Sequence, residues 1–457
     1  YRIDPGMHVS NVTRVGTSDN GYVVTGARGS TTNANNPGGV YPTVTLSTHN
    51  GWQEVEYVAN QTNLHWDKVL GGLKHEFIFG LELTDHKVKN GVYAITNSGQ
   101  NCSTGNSATL NGWCVVGADG KPVNGINTLM NRQIATGNWD QDWQARSAGL
   151  SLMDTVDLSE RWTVFGGLRY DHNDMSLRTQ NATTQAQTGD YDFDDGMWNG
   201  HLGVTFRFRP DANLYFSYAK ASDVNGGESD VGTSAGYGGL VTYNGTAAGA
   251  EPEVTQNFEL GTKWNLFGGK LLATAAAFQI TKSDVMEGAN YDSVGTFNTG
   301  ENRVRGIEFG VSGNLTEKLS AQAGATFMKA KVIESATPTH IGKTLSNFAD
   351  TTAFAQLKYQ ATPKFAFGGA LKYEGKKYAG QPDTAAAYGA DGQYSQPVPA
   401  YSVLDLFANY RFNKDLDMRV NIGNVTDKDY YLAAYRSGSF LYMGDARNLR
   451  VTLNYEF

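Results

Sequence analysis

Long apolar runs are missing from this chain. The longest nearly apolar stretch, Leu271 to Phe278, is far too short for a membrane-spanning helix, which takes about 20 residues, and the mean hydropathy is −0.41. A helical membrane protein is excluded. A transmembrane β-barrel is not, because alternating apolar and polar residues cancel in any windowed average. There is no basic patch, and the formal net charge of −8 argues against nucleic acid as a partner. Proline is scarce at 11 of 457 residues, and no linker, charge run or composition break divides the chain. One large closed architecture spanning 1–457 is therefore expected over two or three domains. Motifs for catalysis and metal binding are also missing. The eight His residues are scattered with no His-Glu-x-x-His pair, and no phosphate-binding Gly loop, nucleophile elbow or paired zinc cysteines occur. Asp190, Asp192 and Asp194 alternate like the start of a calcium loop, but Asp195 stands where its Gly belongs and His201 where its Glu belongs. Cysteine is reduced to Cys102 and Cys114, close together in a polar Asn/Ser/Gly-rich stretch. Such a pair reads as a local disulfide of an oxidising compartment, worth about 3 kcal/mol in the chain-entropy model, with two incidental thiols as the alternative.

What the chain does have is glycine (54), tyrosine (24), phenylalanine (21) and tryptophan (8), a mix suited to many strands with rings at membrane interfaces. The last residues show the pattern most cleanly. Leu449, Val451, Leu453, Tyr455 and Phe457 fall on one face, and Arg450, Thr452, Asn454 and Glu456 on the other. Successive strand side chains point to opposite sides, so this strand is apolar on one face and fully polar on the other. The same alternation recurs along the chain, as in Leu202, Val204, Phe206 and Phe208 against Gly203, Thr205 and Arg207.

Short turns at 67–72, 157–161, 209–213, 267–270, 316–318, 362–364 and 413–415 separate these runs. Long connections, roughly 87–140, 176–195, 223–252, 285–299, 333–346, 379–398 and 428–445, join their other ends. All short turns thus fall at one rim and all long loops at the other, the asymmetry of an outer-membrane barrel with tight periplasmic turns. About sixteen antiparallel strands are expected. The first is read from Met7 to about Ala27, and the regular pattern from about Glu54.

Several stretches resemble TonB-dependent outer-membrane receptors, specifically the ferric catecholate siderophore receptors. Glu259-Leu260-Gly261-Thr262-Lys263-Trp264, Arg305-Gly306-Ile307-Glu308-Phe309, Gly167-Leu168-Arg169-Tyr170-Asp171 and Asn424-Val425-Thr426-Asp427-Lys428-Asp429-Tyr430-Tyr431 are similar to strand and loop segments of that family. Asn60-Gln61-Thr62-Asn63-Leu64 and Gly80-Leu81-Glu82 resemble one of its earlier hairpins. The segments occur in the family's order and cover nearly the whole chain. The resemblance implies a 22-stranded barrel, filled by an N-terminal plug and energised through TonB, that imports iron-loaded siderophores. Nothing here resembles the plug or the TonB-binding box. The chain therefore reads as the seventh to the twenty-second strand, and TonB would be reached through a region outside it. A complete sixteen-stranded porin is the alternative, and an outer-membrane hydrolase is disfavoured because no His stands beside paired acids or a Ser.

The resemblance implies a transporter without resident cofactor or metal site, acting in the bacterial outer membrane beside its lipid and lipopolysaccharide. Anionic, aromatic-rimmed ferric catecholates suit cations together with Tyr and Trp faces. The last long loop offers Tyr430, Tyr431, Tyr435, Arg436, Tyr442 and Arg447 as a ligand wall, with interface rings and solvated charges as the plain alternative. Trp113, Tyr237 and Tyr243 are further candidates. Arg169, Arg207, Arg411 and Arg419 are expected on the polar face, paired across strands with Asp171, Asp405 and Asp417 or facing the plug.

Overall fold

The computed structural model describes residues 1–32, 42–97, 112–114, 132–223, 242–243, 246–247, 252–287, 297–380, 385–386, 397–435 and 440–457. Its strands form one eighteen-stranded antiparallel sheet, two of whose members, Arg2–Asp4 and Gly112–Cys114, are three-residue additions to longer neighbours. The other sixteen are β1 (Met7–Thr32), β2 (Pro42–Leu70), β3 (Leu73–Asn97), β4 (Arg132–Asp157), β5 (Trp162–Gln180), β6 (Gln187–Arg209), β7 (Ala212–Asp223) and β8 (Glu253–Leu266), followed by β9 (Leu271–Glu287), β10 (Phe297–Asn314), β11 (Leu319–Glu334), β12 (Thr351–Thr362), β13 (Phe365–Glu374), β14 (Tyr401–Arg411), β15 (Leu416–Gly423) and β16 (Asn448–Tyr455). Each pairs with the next in sequence, so the topology is an up-and-down meander with the expected number of strands. No ladder joins β16 to β1 among the described residues.

Local chemistry makes the seven short turns. Gly71 and Gly72 take φ of 59° and 84°, the two positive values that a tight two-residue hairpin demands and that only glycine adopts freely. Gly268 and Gly269 likewise take positive φ, 68° and 85°, and in four other turns a side-chain oxygen closes the chain. Ser159, Thr316, Thr362 and Asn413 each accept two backbone N–H groups from the residues that start the next strand, with both bonds to Asn413 at 2.9 Å.

The apolar faces are left bare. Leu453, for example, is 64% exposed, and Leu168, Leu202, Leu260 and Val451 are similarly open, with no second sheet against them among the described residues. An apolar belt running from strand to strand is a lipid-facing wall. Near the short turns it ends in paired rings, Trp66 on Phe77 at 5.7 Å, Trp162 on Phe206 at 4.4 Å, Phe208 on Trp264 at 5.4 Å and Tyr410 on Phe412 at 4.9 Å. Lys68 lies over Trp66 and Arg209 over Trp264, as long cations do where a membrane surface begins.

Several expectations about the long connections change. The stretch 176–195 is no loop: β5 and β6 continue through it and leave only 181–186 as the turn, where Asn181 Oδ1 accepts the N–H groups of Thr183 and Thr184 at 2.9 Å. Asp190, Asp192 and Asp194 belong to β6, and Asp190 lies 3.8 Å from Arg178. Likewise β1 runs to Thr32, β2 starts at Pro42, β3 runs to Asn97 and β4 starts at Arg132, all beyond the expected limits. Beyond the belt the outward face turns polar, as at Asp190, Asp192 and Asp194, so the lipid-facing pattern ends while the backbone ladder continues. The stretch 428–445 also holds a hairpin of its own, Tyr431–Tyr435 with Phe440–Met443.

The first six strands therefore form a tall wall. At about 3.3 Å per residue they reach far past the roughly 9–11 residues that cross a membrane. Val55, Val88, Trp143 and Leu177 stand opposite one another across four of these strands and, with Met175, make a buried cluster above the belt. β12 to β16 are short, and the connections fold back over them through two small clusters, Ala330–Val332–Leu345–Ala385 and Ala379–Val398–Ala434.

Candidate functional site

One side chain pins the last long connection. Asn424 adopts a φ of 47°, which Asn tolerates better than most residues, and is fully buried. Its amide donates to the carbonyls of Lys428 (2.8 Å) and Asp445 (3.0 Å), its Oδ1 accepts the Lys428 N–H (2.9 Å), and its own N–H donates to Asp405 Oδ1 (2.7 Å). A buried amide costs free energy unless paired, and this one is paired on both sides.

Tyr430 is held beside it. The Gly444 N–H donates to the Tyr430 carbonyl at 2.9 Å, and a Cβ on Gly444 would come within 1.9 Å of the Tyr430 ring, so the ring needs a glycine there. The ring also meets Tyr401 at 4.7 Å. Burial, and then the Asp445 charge, push the Tyr430 hydroxyl above its ordinary value, so it stays a neutral donor.

Two more ties draw the loops over the short strands. The Asn347 amide donates to the carbonyls of Gly380 (2.7 Å) and Ala434 (3.0 Å), and its Oδ1 accepts the Ala434 N–H (3.0 Å). Lys377, almost fully buried, pairs with Glu374 at 2.6 Å and donates to the Leu432 carbonyl. Tyr401 donates to the same Glu374 at 2.5 Å.

Beneath these ties, on the inner face of β13 to β16, runs a groove of about 700 Å³. Tyr430, Lys372, Arg419 and Arg450 line it, together with Asp405 and Asp445. Asp405 is engaged by the Asn424 N–H, Arg419 donates to Asn421 at 3.0 Å, and neither Lys372 nor Arg450 has an acid within ion-pair distance among the described residues. Lys372 Nζ sits 5.7 Å over the Tyr401 ring and Arg419 5.8 Å over Phe407. Cations and aromatic faces on one concave wall are the chemistry that holds a flat anionic ligand.

Of the residues expected to form a ligand wall, Tyr430 lines this groove. Tyr431 packs into the cluster of Ala379, Val398 and Ala434, Tyr442 is exposed on its hairpin, and Arg447 pairs with Asp427 at 3.1 Å. Tyr435 pairs through its backbone with Phe440. Trp113 and Cys114 lie in the short strand laddered on Thr43–Thr45, and Tyr243 in a two-residue strand paired with Thr246–Ala247. Arg436, Tyr237 and Cys102 lie outside the described residues.

The expected cross-strand ion pairs take other forms. Arg169 binds Asp171 of its own strand at 2.6 Å and Glu82 at 3.5 Å, Arg207 reaches the Glu160 carbonyl, and Asp417 accepts from Asn454. Residues two apart on one strand share a face, which favours the Arg169–Asp171 contact. Lys372, Tyr401, Arg450, Asn424 and Asn347 escaped the sequence reading. Arg450 was visible as a polar-face residue, but nothing local signals that it lines the same groove as Lys372.

Comparison with known proteins follows the same lines. The family model "TonB dependent receptor-like, beta-barrel" matches residues 8–425. The chain is 27% identical over 408 residues to a protein of Acinetobacter baumannii described as probable TonB-dependent siderophore receptor PiuA, covering 85% of this chain and 51% of that protein. It is 25% identical over 481 residues to the catecholate siderophore receptor Fiu of Escherichia coli K12, covering 100% of this chain and 59% of that one. The crystal structure of the A. baumannii siderophore receptor PiuA matches with a TM-score of 0.79 at 23% identity, over 99% of this chain and 62% of that chain. The chain thus spans little more than half the length of the curated relatives it matches.

Proposed function

The chain belongs to the TonB-dependent receptor β-barrel family, and from that premise we propose that it works in a bacterial outer-membrane receptor that imports iron-loaded, catecholate-type siderophores with energy delivered through TonB. The observation that carries the reading is the inner groove below Tyr430, where Lys372 lies over the Tyr401 ring and Arg450 shares the wall, neither within ion-pair distance of an acid among the described residues. A ferric catecholate is anionic and rimmed by rings, so it satisfies both features at once. The siderophore supplies the iron's ligands, so the protein needs no metal site or cofactor. The matched relatives are transport receptors, and no bond is made or broken in this reading.

Binding of ferric catechol complexes to the purified protein, followed by quenching of its intrinsic fluorescence, tests this. Tyr430→Ala and the pair Lys372→Gln/Arg450→Gln are each expected to weaken binding about tenfold, equivalent to about 1.4 kcal/mol. Unchanged affinity in both would remove the groove from consideration. Steady open conductance in planar bilayers would support a passive porin instead.

A further inference from the structure

Lys372 has an acid on its own strand that it does not use. Lys372 and Glu374 lie two apart at the loop end of β13, so their side chains share the inward face, about 6.6 Å apart along the strand. Elsewhere two pairs with the same order and spacing close into ion pairs, Lys74 with Glu76 on β3 and Arg169 with Asp171 on β5, both at 2.6 Å. Lys372 lies over the Tyr401 ring instead, at 5.7 Å.

Lys377 accounts for the difference. Its ammonium sits 2.6 Å from Glu374 Oε1, and the Tyr401 hydroxyl donates to Oε2 at 2.5 Å, so both carboxylate oxygens are engaged. The Lys377 side chain is 3% exposed, against 18% for Glu374, and it donates a further bond to the Leu432 carbonyl. A lysine is seldom buried so completely unless it is paired, and removing one partner of such a pair leaves the other charge uncompensated. Glu374 also feels the Lys372 charge, less strongly than that of Lys377. With Lys377 removed, Lys372 is the cation within reach.

We propose that Lys377 is a positioning residue for ligand capture, which occupies Glu374 and so keeps Lys372 free to face an anion in the groove. Neither Lys377 nor Glu374 lines the groove, so the effect passes through Lys372. The inference rests on the groove reading above and assigns the control of its charge to a residue outside it. Losing the Lys377 charge then costs anion binding, and losing the Glu374 charge with it restores binding.

The purified full chain is titrated with ferric catechol complexes, and the reactivity of the Lys372 amine toward acetic anhydride is measured separately, without ligand, by mass spectrometry of the labelled peptide. K377Q can still donate to the Leu432 carbonyl, so it removes the charge and keeps the tie. It is expected to weaken binding about fivefold at low salt, less as salt rises, and to slow Lys372 labelling, because an amine paired with a carboxylate holds its proton more tightly. E374Q/K377Q is expected to return both readouts to within about twofold of wild type, whereas a merely structural role for Lys377 would leave the double variant as weak as K377Q. Unchanged labelling in K377Q, or a double variant that is not rescued, overturns the proposal. Should K377Q fail to fold, E374Q alone must bind at least as tightly as wild type, and weaker binding there overturns the proposal equally. K372Q separates the two readings. If it binds as tightly as wild type, the groove reading fails and takes the proposal with it; if it binds weakly and K377Q does not, the proposal alone fails.

Discussion

The tall wall of β1 to β6 and the short wall of β12 to β16 cross the membrane by the same alternation and part company above it. In the tall wall the ladder itself continues, and a row of apolar side chains centred on Trp143 is buried on the inner face. In the short wall the ladder stops, and single polar side chains, Asn347, Lys377 and Asn424, tie the loops together. Inner charges differ in parallel. Arg169 in the tall wall is neutralised by Asp171 and Glu82, and a smaller space of about 410 Å³ surrounds it. Lys372 and Arg450 in the short wall have no acid within ion-pair distance among the described residues. The lesson is that height is held by burial and the groove by hydrogen bonds, so a substitution should damage one and spare the other.

Trp143→Ala tests that separation most severely. Removing a fully buried Trp costs about 3–5 kcal/mol, and the loss should be local. Hydrogen exchange is expected to speed up in the upper parts of β3, β4 and β5 while the belt ladders and β12 to β16 keep their protection. Uniform loss throughout would mean that the walls are one cooperative unit.

Asn347→Ala should do the converse. It strips two donors and one acceptor from the ties to Gly380 and Ala434 and leaves a backbone N–H unpaired, at a cost of about 2–3 kcal/mol. Ligand affinity is expected to fall at least about tenfold, with exchange in the tall wall unchanged. Equal exchange changes in both walls would contradict the division.

A smaller effect with a pH signature comes from Asp140 of β4, six residues beyond Arg146 and hence clear of the membrane belt. Burial raises its carboxyl to about 6, and its Oδ1 is buried without a hydrogen-bond partner. The folded chain thus holds this proton more tightly than the unfolded chain, so the contribution to stability is fully present below about pH 4 and lost as pH rises towards 6. Asp140→Asn is expected to flatten that slope and to stabilise the tall wall by about 1 kcal/mol at pH 7, after allowance for its partial exposure. Denaturant midpoints at pH 4 and pH 7 provide the check.

The smallest change is expected from Arg447→Ala. Its ion pair with Asp427 is exposed on both sides, a kind of contact worth about 0–1 kcal/mol, and its side chain is not part of the groove wall. Thermal stability and ligand affinity should both stay near wild type. A tenfold loss of affinity would extend the site to the outer surface of the last loop.

Within the belt the fold could be read residue by residue. Leu453 and Val451 face lipid and Thr452 and Arg450 the interior, just as the dyad pattern of the last strand implies, and the same holds for Leu202 and Leu260. The site was legible only in part. Tyr430 stood out because rings cluster in its loop, whereas Tyr431, equally prominent in sequence, turns into a packed cluster. The extra height of β5 and β6 was hidden because Asp190, Asp192 and Asp194 put charge on the face that carries apolar residues within the belt.

The sequence by itself determined the two-faced strands, their number and the sorting of short and long connections, because each of these follows from a period of two along the chain and from turn chemistry within a few residues. Only the tertiary structure decided which polar groups meet. Asn421 stands opposite Arg450, and Asn347 binds Ala434, 87 residues away. Such meetings depend on inter-strand register and on loop ties between distant segments, and no local pattern encodes either.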